Sequence, residues 1–231
     1  MFATYRSIVA PLRFCTDGGY RSVLWLRLLR SQELHQTTAL TEMDRYRQIF
    51  TVAQDYFAGK PDLRILSYGC STGEEVLTLR SYFPDAVITG VEINRHSLAK
   101  ARKQAGDGMV FLEALPAKPG DQDHFDAIFC MAVLQRTPMR IVQEKITNLT
   151  GIYPFEKFDH KVTELDAWLK RDGLFILRHS QYRFPDASAA SRYAPLAAAD
   201  HIRDTGPKFD RTSRRLEDEV LPPTVFIKVR D

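Results

Sequence analysis

The chain has 231 residues, of which 44% are hydrophobic and 26% charged, a composition typical of a folded globular protein. Its net charge of +3 is too small to indicate a nucleic-acid or anionic-membrane partner. No run of about 18 apolar residues occurs, and the arginine-containing start is unlike a secretory signal, so a cytoplasmic protein is expected. Cys15, Cys70 and Cys130 form no C-x-x-C pair, which predicts neither a disulfide framework nor a metal site.

Residues 1–60 are predicted to form a helical cap over the substrate side of a second domain, residues 61–231. Apolar side chains at three- and four-residue steps indicate one helix within SVLWLRLLRSQEL and another within TEMDRYRQIFTVAQDYFAG. Thr41 is the expected N-cap of the second helix. Aromatic residues of the cap are candidates either for closing a pocket or for packing in a core: Phe2, Tyr5, Phe14, Tyr20 and Trp25.

From residue 63 onward, short β-rich runs alternate with helical segments. Six of these runs are predicted strands: LRILSY, AVITGVE, GMVFLEA, HFDAIFC, LFILRHS and TVFIKVR. Gly173 is expected to open the fifth strand. Segments such as EEVLTLRSYF and RHSLAKARKQA between them are predicted helices. This alternation predicts an α/β fold with a doubly wound, mostly parallel sheet. Residues 180–223 are expected to hold loops, a short helix and a weak strand.

The turn after the first predicted strand reads GCSTGEE, from Gly69 to Glu75. Its two glycines allow the backbone to approach a ligand, and Ser71 or Thr72 is expected to cap the following helix. In a doubly wound sheet this turn lies at the ligand-binding edge.

Glu92 ends the second strand, 23 positions after Gly69. Dinucleotide-binding sheets place the acid that holds the ribose hydroxyls at about this spacing. Nicotinamide dinucleotides and S-adenosylmethionine both fit that arrangement. The turn lacks the G-x-G-x-x-G pattern and carries two carboxylates where a pyrophosphate would sit. The cationic S-adenosylmethionine is therefore the favoured cofactor.

Taken in order, SYGCSTGEEVLTL, GVEINRHSLAKAR and HFDAIFCMAVLQRT resemble the class I S-adenosylmethionine-dependent methyltransferases. The CSTGEE core resembles the chemotaxis-receptor glutamate methyltransferases, the CheR family. The resemblance covers residues 64–134 and implies a seven-stranded, Rossmann-like sheet. It also implies that Gly69 and Cys70 contact the methionine part of the cofactor, that Glu75 contacts the cofactor, and that Glu92 holds the ribose.

The sequence departs from the CheR pattern in two places. Met131 and Ala132 stand where that family has an arginine–asparagine pair, and the family's small β-subdomain is not found. A stand-alone enzyme is therefore favoured over one that modifies receptors.

The residues predicted to bind S-adenosylmethionine are Gly69, Cys70, Ser71, Thr72, Gly73, Glu75, Glu92, Ile93, Leu115, Cys130 and Met131. Four residues that follow the fifth strand are candidates for holding a substrate or acting as a base: His179, Gln181, Tyr182 and Arg183. The alternative is that they only form a polar end of the strand. No catalytic residue is assigned, because the sulfonium is already an activated methyl donor and the enzyme mainly positions the acceptor.

The predicted function is methyl transfer to a small molecule. A protein carboxylate as acceptor, and a binding module without activity, stay open as alternatives.

Overall fold

Seven strands form one sheet in the computed structural model, which describes residues 16–36, 41–217 and 221–230. The strands are β1 (Arg64–Tyr68), β2 (Val87–Val91), β3 (Met109–Leu112), β4 (Phe125–Met131), β5 (Leu169–Arg178), β6 (Tyr193–Pro195) and β7 (Val225–Lys228). Their order across the sheet is β3-β2-β1-β4-β5-β7-β6. The first five are parallel, and β7 runs antiparallel to both of its neighbours.

Helices cover both faces of this sheet. They are α1 (Gly18–Leu29), α2 (Arg47–Tyr56), α3 (Glu74–Tyr82), α4 (Arg95–Arg102), α5 (Pro138–Gln143) and α6 (Phe155–Asp166). Apolar residues of α2, α3 and α4 form one hydrophobic cluster, and those of α5 and α6 form a second. Every residue of β4 is buried, as expected for a central strand covered on both sides. No helix in the described ranges has the length and apolarity needed to cross a membrane.

The predicted fold class is confirmed: the protein has a doubly wound, mostly parallel α/β sheet of seven strands with helices on both faces. The predicted weak strand within residues 180–223 is β6, which follows two short 3₁₀ turns. Gly173 lies inside β5 and does not open it.

The predicted caps of two helices are wrong. Helix α2 begins at Arg47, and its N-cap is Tyr46, not Thr41. Asp44 has a left-handed backbone (φ 53°) and donates its N–H to Thr78 Oγ1 at 3.0 Å, so this part of the chain is anchored to α3 and cannot continue a helix. Helix α3 is capped by Gly73 (φ 104°), without a side-chain hydrogen bond from Ser71 or Thr72.

Candidate functional site

A cavity of about 340 Å³ lies at the carboxyl edge of the sheet. The ends of β1, β2 and β4 form its floor, and helix α1 with the segments 30–36 and 41–46 contributes to its walls. The order of the strands reverses between β1 and β4, and this switch point is where doubly wound sheets bind ligands. The fold therefore places the cavity where a ligand is expected.

Gly69 shapes the turn after β1. Its backbone is left-handed (φ 80°), and a Cβ atom there would lie 2.4 Å from Cγ2 of Val133. The N–H groups of Gly69 and Cys70 both donate to the carbonyl of Val91, at 2.8 and 3.0 Å. These contacts draw the turn against β2 and leave its outer side to the cavity.

Glu92 lines the cavity and fixes the turn at the same time. Its Oε2 accepts the N–H of Ser71 at 2.9 Å, and its Oε1 accepts the N–H of Asn94 at 2.6 Å. Burial raises the pKa of Glu92, while these two N–H groups oppose the rise. No lysine or arginine in the described ranges forms an ion pair with it. Its carboxylate keeps lone pairs for a ligand with donor groups.

Glu75 is a second partly buried carboxylate on the cavity wall. Ser67 donates its hydroxyl to Oε1 of Glu75 at 2.7 Å. Burial raises the pKa of Glu75 to about 7, with the Ser67 hydrogen bond acting in the opposite direction. As for Glu92, no cation among the described side chains pairs with it. A cationic ligand would remove the electrostatic cost of both ionised carboxylates.

Two hydroxyl groups in the wall have no hydrogen-bond partner within the described part of the chain. They are Oγ of Ser71 and Oη of Tyr46, and both oxygens are buried. The guanidinium groups of Arg45 and Arg178 lie 5.2 and 5.8 Å from the centre of the Tyr46 ring. Buried hydroxyls normally have a hydrogen-bond partner. Because these two have none among the described residues, both are available to bind a ligand.

Helix α1 is held beside the cavity by polar contacts. Ser22 Oγ donates to Oδ1 of Asn94 at 2.6 Å. Arg30, just after the helix, donates to Oε1 of Glu113 at 2.6 Å, and Arg95 donates to the other oxygen at 2.9 Å. Leu26 is buried and lines the cavity. These contacts close one side of the site.

Eight residues predicted to bind the cofactor line this one cavity: Gly69, Cys70, Ser71, Glu75, Glu92, Ile93, Leu115 and Met131. Burial raises the pKa of the Cys70 thiol well above its ordinary value, so this residue is a packed thiol in the turn.

Three other predicted residues lie outside the cavity wall. Thr72 directs its hydroxyl to the carboxylate of Glu74, and a Cβ on Gly73 would touch Ala101 of α4. Cys130 is fully buried in the cluster beneath α5 and α6, where burial raises the pKa of its thiol.

The candidate residues after β5 do not line the cavity either. Gln181 exchanges hydrogen bonds with the backbone of Arg136, and Tyr182 donates its hydroxyl to the carbonyl of Tyr153. The backbone N–H of His179 donates to Asp204. These partners favour the alternative that the segment is a polar strand end.

The aromatic residues of the predicted cap do not close the cavity where they are described. Tyr20 and Trp25 are 36% and 54% exposed, and neither lines the wall. Phe2, Tyr5 and Phe14 lie outside the described residues.

Three residues line the cavity without having been identified as site residues from the sequence: Tyr46, Arg30 and His35. Tyr46 lies within TEMDRYRQIFTVAQDYFAG, where the apolar spacing of the predicted helix favours core packing. Its left-handed neighbour Asp44 could not be foreseen from that pattern, so the sequence carried no signal for a cavity-facing phenol.

Residues 65–151, less than half of the chain, match a family model described as a methyltransferase domain. No curated protein matches the chain. The CheR-like feature of the turn is not confirmed by these comparisons.

Several solved structures share parts of the fold. An amino-pentose methyltransferase from Micromonospora echinaspora with bound S-adenosylmethionine is 22% identical, with a TM-score of 0.41 over 60% of this chain and 52% of that one. The plantazolicin methyltransferase BpumL, in complex with S-adenosylhomocysteine, is 14% identical, with a TM-score of 0.43 over 71% and 55%. A sugar N-methyltransferase from Streptoalloteichus is 18% identical, with a TM-score of 0.41 over 59% and 47%.

The chain spans about half the length of these solved structures. At such TM-scores the likeness transfers neither an activity nor a substrate to this protein.

Proposed function

We propose that this chain is an S-adenosylmethionine-dependent methyltransferase acting on a small molecule. The observation that carries the proposal is the pair of carboxylates, Glu75 and Glu92, that line one cavity at the switch point of the sheet without a cation partner in the described ranges. S-adenosylmethionine brings an ammonium, a sulfonium and a ribose diol, which complement two acidic groups. The match of residues 65–151 to a methyltransferase domain supports the same proposal.

The polar groups of the cavity fit the parts of this cofactor. Glu92 would accept hydrogen bonds from the ribose hydroxyls, and Glu75 would receive the ammonium. The unpartnered hydroxyls of Tyr46 and Ser71 would donate to the methionine carboxylate or to other cofactor oxygens. Leu115, in the loop after β3, offers an apolar surface for the adenine ring.

The cofactor, when bound, supplies an activated methyl group. The chain then has to bind the acceptor, direct its nucleophilic atom to that group and exclude water. Contacts of Ser22 and Arg30 hold α1 and the following segment beside the cavity, and this cover favours a small acceptor over a protein side chain. A CheR-like protein carboxyl methyltransferase would carry an additional small β-subdomain. The described strands all belong to one sheet, so no observation favours that alternative. The cytoplasmic location stays a prediction.

A nicotinamide dinucleotide fits less well. Its pyrophosphate would lie at the turn after β1, close to the carboxylates of Glu75 and Glu92, and like charges in a partly buried site repel strongly.

Calorimetric titration with S-adenosylhomocysteine and, separately, with NADH tests the proposal. We expect saturable binding of S-adenosylhomocysteine only, weakened by more than about tenfold in Glu92→Gln because a charged hydrogen bond is lost. Glu74→Gln serves as the control, since that carboxylate is bonded to Thr72 and lies outside the wall. Binding of NADH instead would overturn the assignment.

Transfer of a labelled methyl group from S-adenosylmethionine to a panel of small hydroxyl, amine and carboxylate compounds tests activity. Binding of the cofactor with no transfer to any compound, to bulk protein or to water would support a binding module without activity.

A further inference from the structure

His35 belongs to the segment between α1 and α2 and is not needed for the cofactor contacts proposed above. The side chain is buried and lines the cavity. Its Nδ1 lies 2.7 Å from Oη of Tyr153, and the two rings meet edge to face with centroids 5.7 Å apart. One ring nitrogen is therefore engaged by the protein, and Nε2 is the one left for a ligand.

The environment of Tyr153 determines which nitrogen of His35 carries the proton. Tyr153 is buried, and its hydroxyl has no hydrogen-bond partner other than His35 within the described ranges. Burial raises the pKa of Tyr153 well above its ordinary value, so the hydroxyl stays protonated. A buried O–H without an acceptor is costly, so it donates to Nδ1. The proton of the neutral imidazole then resides on Nε2.

The imidazole stays neutral at physiological pH. Burial first, and then the positive charges of Lys157, Lys161 and Arg136, lower the pKa of His35 to about 3. A general base with this property would be very weak. The ring is instead a fixed hydrogen-bond donor through Nε2.

The backbone around His35 is anchored. Arg136 donates to the carbonyls of Leu34 and His35 at 2.9 and 3.2 Å. Lys157 donates to the carbonyls of Ser31 and Leu34 at 2.8 and 2.9 Å. A donor held in this way is well suited to orienting a small ligand.

We propose that His35 binds the methyl acceptor, donating its Nε2–H to a carbonyl or carboxylate oxygen of that molecule. The inference rests on the proposed function, because the cofactor groups are assigned to Glu75, Glu92, Tyr46 and Leu115. The charges of Lys157, Lys161 and Arg136 act on the imidazole and are positive, so a neutral or anionic acceptor is favoured over a cationic one.

Nitrogen-15 spectra of the six histidines, recorded on the full chain, test the inference directly. The His35 signals are identified by their loss in His35→Phe. We expect Nε2 of His35 to be protonated and Nδ1 to be unprotonated, and Tyr153→Phe should convert this single tautomer into a mixture. An Nδ1-protonated ring in the wild type would overturn the inference.

Fragment titrations then define the ligand class. Protein saturated with S-adenosylhomocysteine is titrated with acetamide, acetate or methylammonium. The Nε2–H signal of His35 should shift saturably with acetamide or acetate and stay unchanged with methylammonium. A shift with methylammonium alone, or with none of the three, contradicts the inference.

Measuring the affinity for S-adenosylhomocysteine distinguishes a failure of the His35 inference from a failure of the proposed function. The affinity for S-adenosylhomocysteine should change less than about threefold in His35→Phe, because a cofactor contact would cost roughly tenfold. A larger loss, or a His35 shift caused by S-adenosylhomocysteine alone, would place His35 at the adenosyl group and overturn its role at the acceptor. Wild-type protein that does not bind S-adenosylhomocysteine at all would overturn the proposed function as well.

Discussion

Ser67 and Glu75, eight residues apart, are joined by a 2.7 Å hydrogen bond that directs the second glutamate of the turn toward the sheet. The neighbouring Glu74 is bonded to Thr72 and lies outside the cavity wall. Two adjacent carboxylates at the start of α3 therefore have different environments. Burial raises the pKa of Glu75 to about 7.

This pKa predicts that cofactor binding depends on pH. In the empty site Glu75 is about half protonated near pH 7, whereas an ammonium group requires the ionised carboxylate. The affinity for S-adenosylhomocysteine should therefore rise with pH, by about tenfold between pH 6 and pH 8, and then level off. Calorimetry at several pH values measures this dependence.

Adjacent glutamates supply matched variants for the same measurement. Glu75→Gln should bind more weakly at pH 8 and lose most of the pH dependence, while Glu74→Gln should behave like the wild type. If the wild-type affinity does not vary between pH 6 and pH 8, Glu75 does not receive the ammonium.

Gly69→Ala should damage both the fold of the turn and the binding of S-adenosylhomocysteine. The added Cβ would lie 2.4 Å from Val133, and the residue has a left-handed backbone. Gly206→Ala is the matched control, because Gly206 also has a positive φ (95°) but no atom within 4 Å of the added Cβ. Backbone strain alone costs about 1–3 kcal/mol, so Gly69→Ala should lose more unfolding free energy than the control in urea denaturation. Equal losses would show that the contact with Val133 is not important.

The sequence was sufficient to bring Gly69, Glu75 and Glu92 together, because each follows or ends a strand of a parallel sheet. The carboxyl ends of such strands meet at one edge, whatever the details of packing. By contrast, Tyr46 and His35 reach the cavity through segments whose position depends on tertiary contacts, such as the hydrogen bond from Asp44 to Thr78. Periodicity contains no information about those contacts.

At the end of β4, the sequence was sufficient to predict which of two neighbouring residues lines the cavity. Met131 and Cys130 were both predicted to bind the cofactor, but successive side chains of a strand point to opposite faces. Met131 lines the cavity, while Cys130 packs beneath α5 and α6. Applying the alternation to β4 would have separated them.

Glu113→Gln should speed the exchange of S-adenosylhomocysteine. Glu113 forms ion pairs with Arg30 beside α1 and with Arg95 of α4, and about 28% of its side chain is exposed. Losing these pairs loosens the cover of the cavity, so association and dissociation should both accelerate several-fold in stopped-flow measurements. Glu144→Gln removes an exposed pair with Arg140 and should leave both rates unchanged. Unchanged rates in Glu113→Gln would show that this contact does not limit ligand entry.

Lys208→Met should destabilise the protein strongly. Lys208 and Asp204 are both buried, their charged atoms lie 2.6 Å apart, and Nζ also donates to the carbonyl of Ser180 at 2.6 Å. Removing the lysine leaves the buried carboxylate with only backbone N–H donors and the more distant His179, and the unfolding free energy should fall by about 3 kcal/mol. In the control Arg140→Met, the lost pair with Glu144 is exposed and should cost less than about 1 kcal/mol. Urea denaturation distinguishes the two, and a loss in Lys208→Met no larger than in the control would mean that Asp204 is adequately stabilised by its N–H donors alone.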